Sequence, residues 1–161
     1  MKRAAIGSAI FFVLAPGSTA GLVPWLLTGW RHGGHVGVLD VAGAVVSLAG
    51  LVVAVAAFVQ FVREGRGTPA PVAPTRELVV GGLYRYVRNP MYVAVASMIA
   101  GQALIFRSVP MLIWLTVFLA AVVSFVTWYE EPTLRRTYGE SFDRYRRAVP
   151  GWWPRLRPWR P

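Results

Sequence analysis

Four long stretches without a charged side chain constrain this chain more than any other feature of its sequence. They are residues 4–30, 41–62, 90–106 and 108–129 of 161. A helix needs roughly 17–25 apolar residues to cross the hydrocarbon core of a bilayer. Only 15% of the residues are charged, whereas soluble domains average about 25%. We therefore expect an all-α integral membrane protein with four to five transmembrane helices.

The first stretch has two interpretations. Two basic residues, an apolar run and the small residues 18–20 resemble a signal peptide with its cleavage site. However, the chain stays apolar through residue 30, and Pro16-Gly17 lies where a span would be kinked. We favour a retained first helix that is broken at Pro16-Gly17, which would turn four spans into five apolar passes.

The basic residues are distributed unevenly along the chain. With four spans, fifteen of the 17 Lys and Arg side chains fall on one side of the membrane. The positive-inside rule assigns that side to the cytoplasm, so we expect a prokaryotic cytoplasmic membrane protein with both termini cytoplasmic. Because topology explains the net charge of +10, nucleic acid is not an expected partner. The absence of cysteine excludes disulfides and Cys-ligated metals, and no metal is expected.

The chain is too short for a second membrane domain, so we expect one domain over residues 1–161. Residues 1–62 are expected to be scaffold helices, in which Gly43, Ser47 and Gly50 recur at a spacing that favours close helix packing. Glycines and prolines between residues 65 and 74 predict a surface loop. Residues 63–161 are expected to be the catalytic, cofactor-binding half.

Two polar clusters flank the last two apolar stretches. The first is residues 82–92, Gly-Leu-Tyr-Arg-Tyr-Val-Arg-Asn-Pro-Met-Tyr, and the second is the pair Glu130-Glu131. A tight turn at residues 107–110 makes the two stretches antiparallel neighbours, so Tyr92 and Glu130 should lie at the same end. Polar groups next to lipid are costly, which indicates a site. Ordinary headgroup anchoring by Tyr and Arg is the alternative.

Apolar residues recur every three or four positions in the tail, at Leu134, Tyr138, Phe142, Tyr145 and Val149. This spacing predicts an amphipathic helix, interrupted at most at Gly139. Such a helix lies either at the lipid headgroups or, as its tyrosines favour, folded back as a lid over the hairpin. The tryptophans at 152, 153 and 159 predict an interfacial anchor.

The side chains at the cytoplasmic end of the last two apolar stretches, called the inner end below, restrict the possible chemistry. Both histidines, His32 and His35, lie in the short outer loop, so no Ser-His-Asp set forms at the inner end. The remaining aromatic rings, arginines, asparagine and carboxylates suit a charged ligand with a flat ring, because arginine binds carboxylates and aromatic faces bind cations. S-adenosylmethionine carries all of these groups.

The order of the motifs resembles that of a known enzyme family. Residues 82–92 are followed by Glu-Glu-Pro-x-Leu, Tyr-Gly-x-x-Phe-x-x-Tyr and Val-Pro-x-x-x-Pro. Together these resemble the isoprenylcysteine carboxyl methyltransferases, a group that also includes phospholipid methyltransferases, over about residues 78–154. The resemblance implies transfer of a methyl group from S-adenosylmethionine to a membrane-embedded acceptor, either an isoprenylcysteine-like carboxylate or a phospholipid amine.

The resemblance also implies the roles of particular residues. The implied catalytic residues are Glu130, Glu131 and Arg144. The implied cofactor-binding residues are Val80, Gly82, Leu83, Tyr84, Arg88, Asn89, Pro90, Tyr92, Glu130, Glu131, Tyr138 and Tyr145. Many relatives have histidine where this chain has Asn89, and asparagine cannot act as a titrating base. A mechanism that needs a base at that position is therefore in doubt.

Two other functions remain open at this point. Membrane sterol reductases have a similar C-terminal aromatic and arginine motif but use NADPH, and a non-catalytic lipid-binding scaffold would use no small molecule. The Glu130-Glu131 pair and the small size favour methyl transfer over the reductase. We expect the partner to be a lipid or lipid-modified acceptor within the bilayer, and the oligomeric state is not predicted.

Overall fold

The computed structural model describes residues 14–31, 34–65 and 78–160, and within these ranges it contains helices and no strand. This confirms the predicted all-α class. The predictions for the N-terminal basic residues, for His32 and for most of the loop at 65–74 lie outside the described residues. In chain order the elements are a π-helical turn Ser18–Leu22, α1 Val23–Thr28, α2 Val38–Gly65, a 3-10 turn Gly82–Arg85, α3 Pro90–Phe106, α4 Val109–Phe125, a π-helical turn Val126–Glu130, α5 Glu131–Tyr138 and α6 Glu140–Ala148.

Two of the described helical stretches, Val38–Phe61 and Val109–Tyr138, are long and apolar enough to cross a bilayer. Only 22% and 17% of their most apolar windows are buried, so most of their apolar surface faces outward, unlike the core helix of a soluble protein. The shorter α3 is also apolar. The prediction of four to five spans exceeds what these residues show. Two facts account for the difference. The structure describes the first stretch only from residue 14, and α3, although helical over its whole uncharged run, is only 17 residues long.

Helices α2 and α3 pack closely through small residues, as the sequence predicted. A side chain on Gly50 would lie 2.7 Å from the carbonyl oxygen of Ala94. The Ser47 hydroxyl donates a hydrogen bond to the carbonyl of Met98 over 3.3 Å. Gly43 and Gly101 face each other in the same way. The two backbones therefore approach too closely to admit larger residues.

Helices α3 and α4 form the predicted antiparallel hairpin, and its turn is fixed by an ion pair. Arg107 in the turn donates to the carboxylate of Asp40 over 2.8 Å, and the Asp40 side chain is only 8% exposed. The backbone N–H of Gly37 donates to the same carboxylate oxygen over 2.7 Å. This cluster joins the start of α2 to the hairpin turn at the end of the molecule opposite the predicted site.

The first helix, which comprises residues 14–28 and therefore includes α1, differs from the predicted broken helix. The backbone remains helical through residues 14–17, and the irregularity takes the form of the π-helical turn at Ser18–Leu22. A π-helical turn admits an extra residue without ending the helix. Ala20 in this turn is buried against side chains of α3 and α4, among them Ile99 and Phe118.

The tail folds back onto the rest of the molecule, as the lid interpretation predicted. Gly139 has φ 53° and separates α5 from α6. Phe142, Tyr145 and Val149 are buried against the segment before α3. The Tyr145 hydroxyl donates a hydrogen bond to the carbonyl of Tyr84 over 2.7 Å. Burial raises the pKa of the Tyr145 hydroxyl, so it remains protonated as a donor.

The three tail tryptophans do not act as one group. The ring of Trp159 lies 5.4 Å from that of Tyr145 and belongs to the buried tail cluster. Trp152 lies 6.4 Å from Tyr92, and Trp153 is 81% exposed. Of the three, only Trp153 has the exposure expected of an interfacial anchor.

Candidate functional site

A cavity of about 290 Å³ lies between the first helix and the ends of α2, α3 and α4. Its volume lies at the lower limit of ligand sites, which measure roughly 300–1,000 Å³. Its lining is polar at one end and apolar at the other. The lining residues are Ala15, Pro16, Thr19, Phe61, Tyr84, Arg88, Asn89, Pro90, Met91, Tyr92, Val95, Phe118, Val122 and Glu130.

A carboxylate and a tyrosine meet at the polar end. The Tyr92 hydroxyl donates a hydrogen bond to Glu130 Oε2 over 3.1 Å. This confirms that the start of α3 and the far end of α4 share one end of the hairpin. Glu130 is the last residue of the π-helical turn Val126–Glu130, and such turns occur frequently at functional sites. One oxygen of the carboxylate is therefore held in place beside the cavity.

Asn89 supplies a buried donor that needs a partner. The residue is 8% exposed and lines the cavity, and its Nδ2 has no hydrogen-bond partner among the described residues. Its backbone N–H donates to the carbonyl of Gly151 in the tail over 3.2 Å. Leaving a buried donor unpaired costs roughly 1–3 kcal/mol. A polar ligand in the cavity would remove this cost, so the donor set fits a hydrogen-bonding cofactor.

Arg88 connects the cavity to the tail. Its Nη1 donates to Glu131 Oε1, and its Nε donates to the carbonyl of Val149 over 2.9 Å. Its backbone N–H donates to the carbonyl of Pro150 over 2.9 Å. The other oxygen of Glu131 pairs with Arg146 on α6 over 2.8 Å. Glu131 therefore orients Arg88 and fastens α6, and it does not appear among the residues lining the cavity.

The predicted site residues divide into two groups. Six line the cavity: Tyr84, Arg88, Asn89, Pro90, Tyr92 and Glu130. The others lie around it. Val80 and Tyr138 pack against the tail cluster that contains Tyr145, Leu83 lies in the 3-10 turn, and Arg144 is exposed on α6. Their assignments as cofactor-binding or catalytic residues stay predictions.

Gly82 has a conformational role. Its φ is +51°, which disfavours residues with a side chain. A Cβ at this position would lie 2.9 Å from the side chain of Gln60 on α2. The glycine thus lets the 3-10 turn Gly82–Arg85 begin close against α2, and this turn carries Tyr84 to the cavity.

Sequence reasoning did not identify the apolar end of the cavity. Val95 lies one turn after Tyr92 on α3, and Phe118 and Val122 lie one turn apart on α4, so helical spacing puts each set on one face. That spacing was the available signal. Phe61 and the first-helix residues at 15, 16 and 19 carried no such signal, because their contribution depends on how the helices pack.

Comparison with known proteins adds one decisive observation. The family model for phospholipid methyltransferases matches residues 38–141, which is most of the chain. The chain belongs to the phospholipid methyltransferase family. The match begins with α2, well before the resemblance noted in the sequence, and ends in α6. No curated protein and no solved structure gives a significant match.

Family membership agrees with the geometry of the cavity. The family suggests a lipid substrate, and the two long helices of this chain are apolar and mostly unburied. Tyr92, Asn89 and Glu130 all lie within the matched residues. The family and the helices together indicate a membrane-associated methyltransferase.

Proposed function

We propose that this protein transfers a methyl group from S-adenosylmethionine to the headgroup amine of a membrane lipid, at the polar end of the cavity. One observation carries the proposal. In a member of the phospholipid methyltransferase family, the carboxylate of Glu130 and the unpaired amide of Asn89 stand at the polar end of an otherwise apolar cavity.

Three kinds of side chain at this end suit the cofactor. When bound, S-adenosylmethionine supplies an electrophilic methyl group. Arg88 already bonds to Glu131 through Nη1 and to Val149 through Nε, and its further guanidinium N–H groups suit a second carboxylate. Asn89 offers the buried amide donor. Tyr84 and Phe61, whose ring centroids lie 6.4 Å apart, offer aromatic faces for an adenine or a cation.

Glu130 favours an amine as the acceptor. An amine must lose a proton before its lone pair can attack, and a carboxylate at hydrogen-bond distance can accept that proton. The bond from Tyr92 holds Oε2 of Glu130 in place, which orients the carboxylate. A carboxylate acceptor would instead meet a like charge at this position, which is unfavourable in a low-dielectric site. An isoprenylcysteine-like acceptor is therefore the less favoured alternative.

The proposed orientation follows the charge distribution. The end of the molecule with the polar end of the cavity also carries Arg63 and the arginines of the tail. Arg107, at the opposite end of the molecule, is paired with Asp40. We propose that the polar end of the cavity faces the cytoplasm, together with both termini, in agreement with the positive-inside rule. A reporter enzyme that works only in the cytoplasm should then be active when it is fused after Pro161.

Ligand-induced stabilisation tests the cofactor. Protein purified in detergent is heated with increasing S-adenosylhomocysteine or NADPH, and the unfolding temperature is followed. A ligand at 100 times its dissociation constant stabilises the folded state by about 2.7 kcal/mol. We expect stabilisation by S-adenosylhomocysteine, no effect of NADPH, and a weaker response in Asn89→Leu. Thr116→Val is the matched control, because Thr116 is exposed on α4 and, within the described residues, its hydroxyl bonds only to Leu112 of its own helix.

The possible results separate three functions. Stabilisation by NADPH alone would contradict the proposal and support a reductase. A response to neither ligand would contradict it and support a non-catalytic scaffold. An equal response in Asn89→Leu and in the unmodified protein would place the cofactor outside this cavity.

A further inference from the structure

The first helix carries a proline where its backbone needs a donor. Pro24 lies at the start of α1, directly after the π-helical turn Ser18–Leu22. In an α-helix the N–H of residue 24 would bond to the carbonyl of Ala20, and in a π-helix to that of Thr19. Proline has no N–H, so the helix itself cannot supply this bond. In an apolar environment, an unpaired carbonyl costs several kcal/mol.

Side chains from two other helices supply donors at these carbonyls. Gln102 Nε2 on α3 donates to the carbonyl of Ala20 over 2.8 Å. Trp114 Nε1 on α4 donates to the carbonyl of Thr19 over 2.9 Å. In either helix type the missing N–H leaves one of these two carbonyls without its partner, and the hairpin binds both. These bonds fasten the first helix to α3 and α4 at one point.

The fastened segment is also a wall of the cavity. Ala15, Pro16 and Thr19 line it from the first helix, opposite Val95, Phe118 and Val122 of the hairpin. Phe118 lies twelve residues before Glu130 on the same helical stretch, a distance of about 18 Å at 1.5 Å per residue. The cavity therefore extends from the polar end well into the apolar part of the molecule.

We propose that this apolar part binds a hydrocarbon chain of the lipid acceptor, and that Gln102 and Trp114 are positioning residues that hold the first helix as its wall. The proposal rests on the proposed function, because the chain must belong to the lipid that is methylated. It assigns the two ends of the cavity to different ligands: the polar end to the cofactor and the reacting amine, and the apolar end to the chain.

Kinetics with lipids of different chain length test the proposal. Gln102→Met removes one donor at similar volume, and Trp114→Phe removes the other donor and keeps an aromatic ring. Since a hydrogen bond contributes about 1 kcal/mol, we expect each to raise the KM for a long-chain phosphatidylethanolamine roughly fivefold, and the pair to raise it further. The KM for a short-chain analogue and the affinity for S-adenosylhomocysteine should change less than about twofold. Ser97→Ala is the control, because the Ser97 hydroxyl on α3 bonds only to Val93 of its own helix in the part of the chain that the structure describes.

A second readout does not depend on activity. The chain has no cysteine, so Ala15→Cys introduces a single thiol at the cavity wall. The rate of its alkylation by N-ethylmaleimide is measured in detergent, with short-chain lipid, and in long-chain phosphatidylethanolamine vesicles. We expect the vesicles to slow alkylation several-fold more than short-chain lipid does, and we expect Gln102→Met to remove this difference.

Different results would overturn the two proposals. Equal increases in the KM for long and short acceptors, or equal protection of the thiol by both lipids, would overturn the chain-binding role. If Gln102→Met does not fold, Trp114→Phe decides the same question. If the unmodified protein neither binds S-adenosylhomocysteine nor methylates lipid, the proposed function fails, and the alkylation experiment still measures binding of the chain.

Discussion

The ion pairs of Glu131 allow a quantitative prediction about how the tail is held over the cavity. Glu131 pairs with Arg88 and with Arg146, whose side chains are 14% and 46% exposed, while Glu131 itself is 17% exposed. Removing one partner of a buried, hydrogen-bonded charge pair costs about 2–5 kcal/mol. Exposed pairs contribute only about 0–1 kcal/mol. Glu131→Gln should therefore reduce the free energy of unfolding by roughly 2–5 kcal/mol, and Arg146→Ala by less than about 1 kcal/mol.

The assay is reversible unfolding in mixed micelles by titration with sodium dodecyl sulfate, followed by tryptophan fluorescence. Asp143→Asn is a matched acid-to-amide control, because Asp143 and its partner Arg135 are 30% and 58% exposed. A double-mutant cycle between Arg88 and Glu131 isolates their coupling. The reasoning would be refuted if that coupling fell below about 0.5 kcal/mol, or if Arg146→Ala cost as much as Glu131→Gln.

Two further predictions concern packing and pH. Gly50→Ala should destabilise the protein measurably in the same assay, because the added Cβ would lie 2.7 Å from the carbonyl oxygen of Ala94. Gly21→Ala is the control and should not destabilise it, because a Cβ at Gly21 meets nothing within 4 Å. Equal effects of the two substitutions would contradict the close contact between α2 and α3. Burial raises the pKa of Tyr145, so above about pH 10 the unfolded chain releases this proton first and stability falls as pH rises. Tyr145→Phe should lose less stability than the unmodified protein between pH 9 and 11, and an equal loss in both would count against the burial of this hydroxyl.

Local rules predicted the parts of the fold that depend on neighbouring residues. The short turn at Arg107 required an antiparallel hairpin, and this placed Tyr92 beside Glu130. The glycines at positions 43 and 50 predicted that α2 packs closely against another helix, and the structure shows that this helix is α3. The spacing of Phe142 and Tyr145 predicted a helix with one buried face. In each case the pattern lies within a few turns of one helix or across one tight turn.

Other features depended on packing between distant segments. The apolar end of the cavity takes residues from the first helix, α3 and α4, and no single stretch reveals that combination. The resemblance implied the same roles for Glu130 and Glu131, but adjacent residues on a helix point about 100° apart. In the structure Glu130 lines the cavity, and Glu131 binds two arginines. Pro24 was a readable signal that its helix needs outside donors.

Methyl transfer into lipid tests the central claim most directly. The purified protein is reconstituted in phosphatidylethanolamine vesicles, supplied with methyl-labelled S-adenosylmethionine, and the products are partitioned between organic solvent and water. We predict label in the lipid headgroup, with a rate at least about a hundredfold lower in Glu130→Gln, since a positioned acid or base typically contributes 10²–10⁴-fold. Label found only in water-soluble products, or an undiminished rate in Glu130→Gln, would contradict this account.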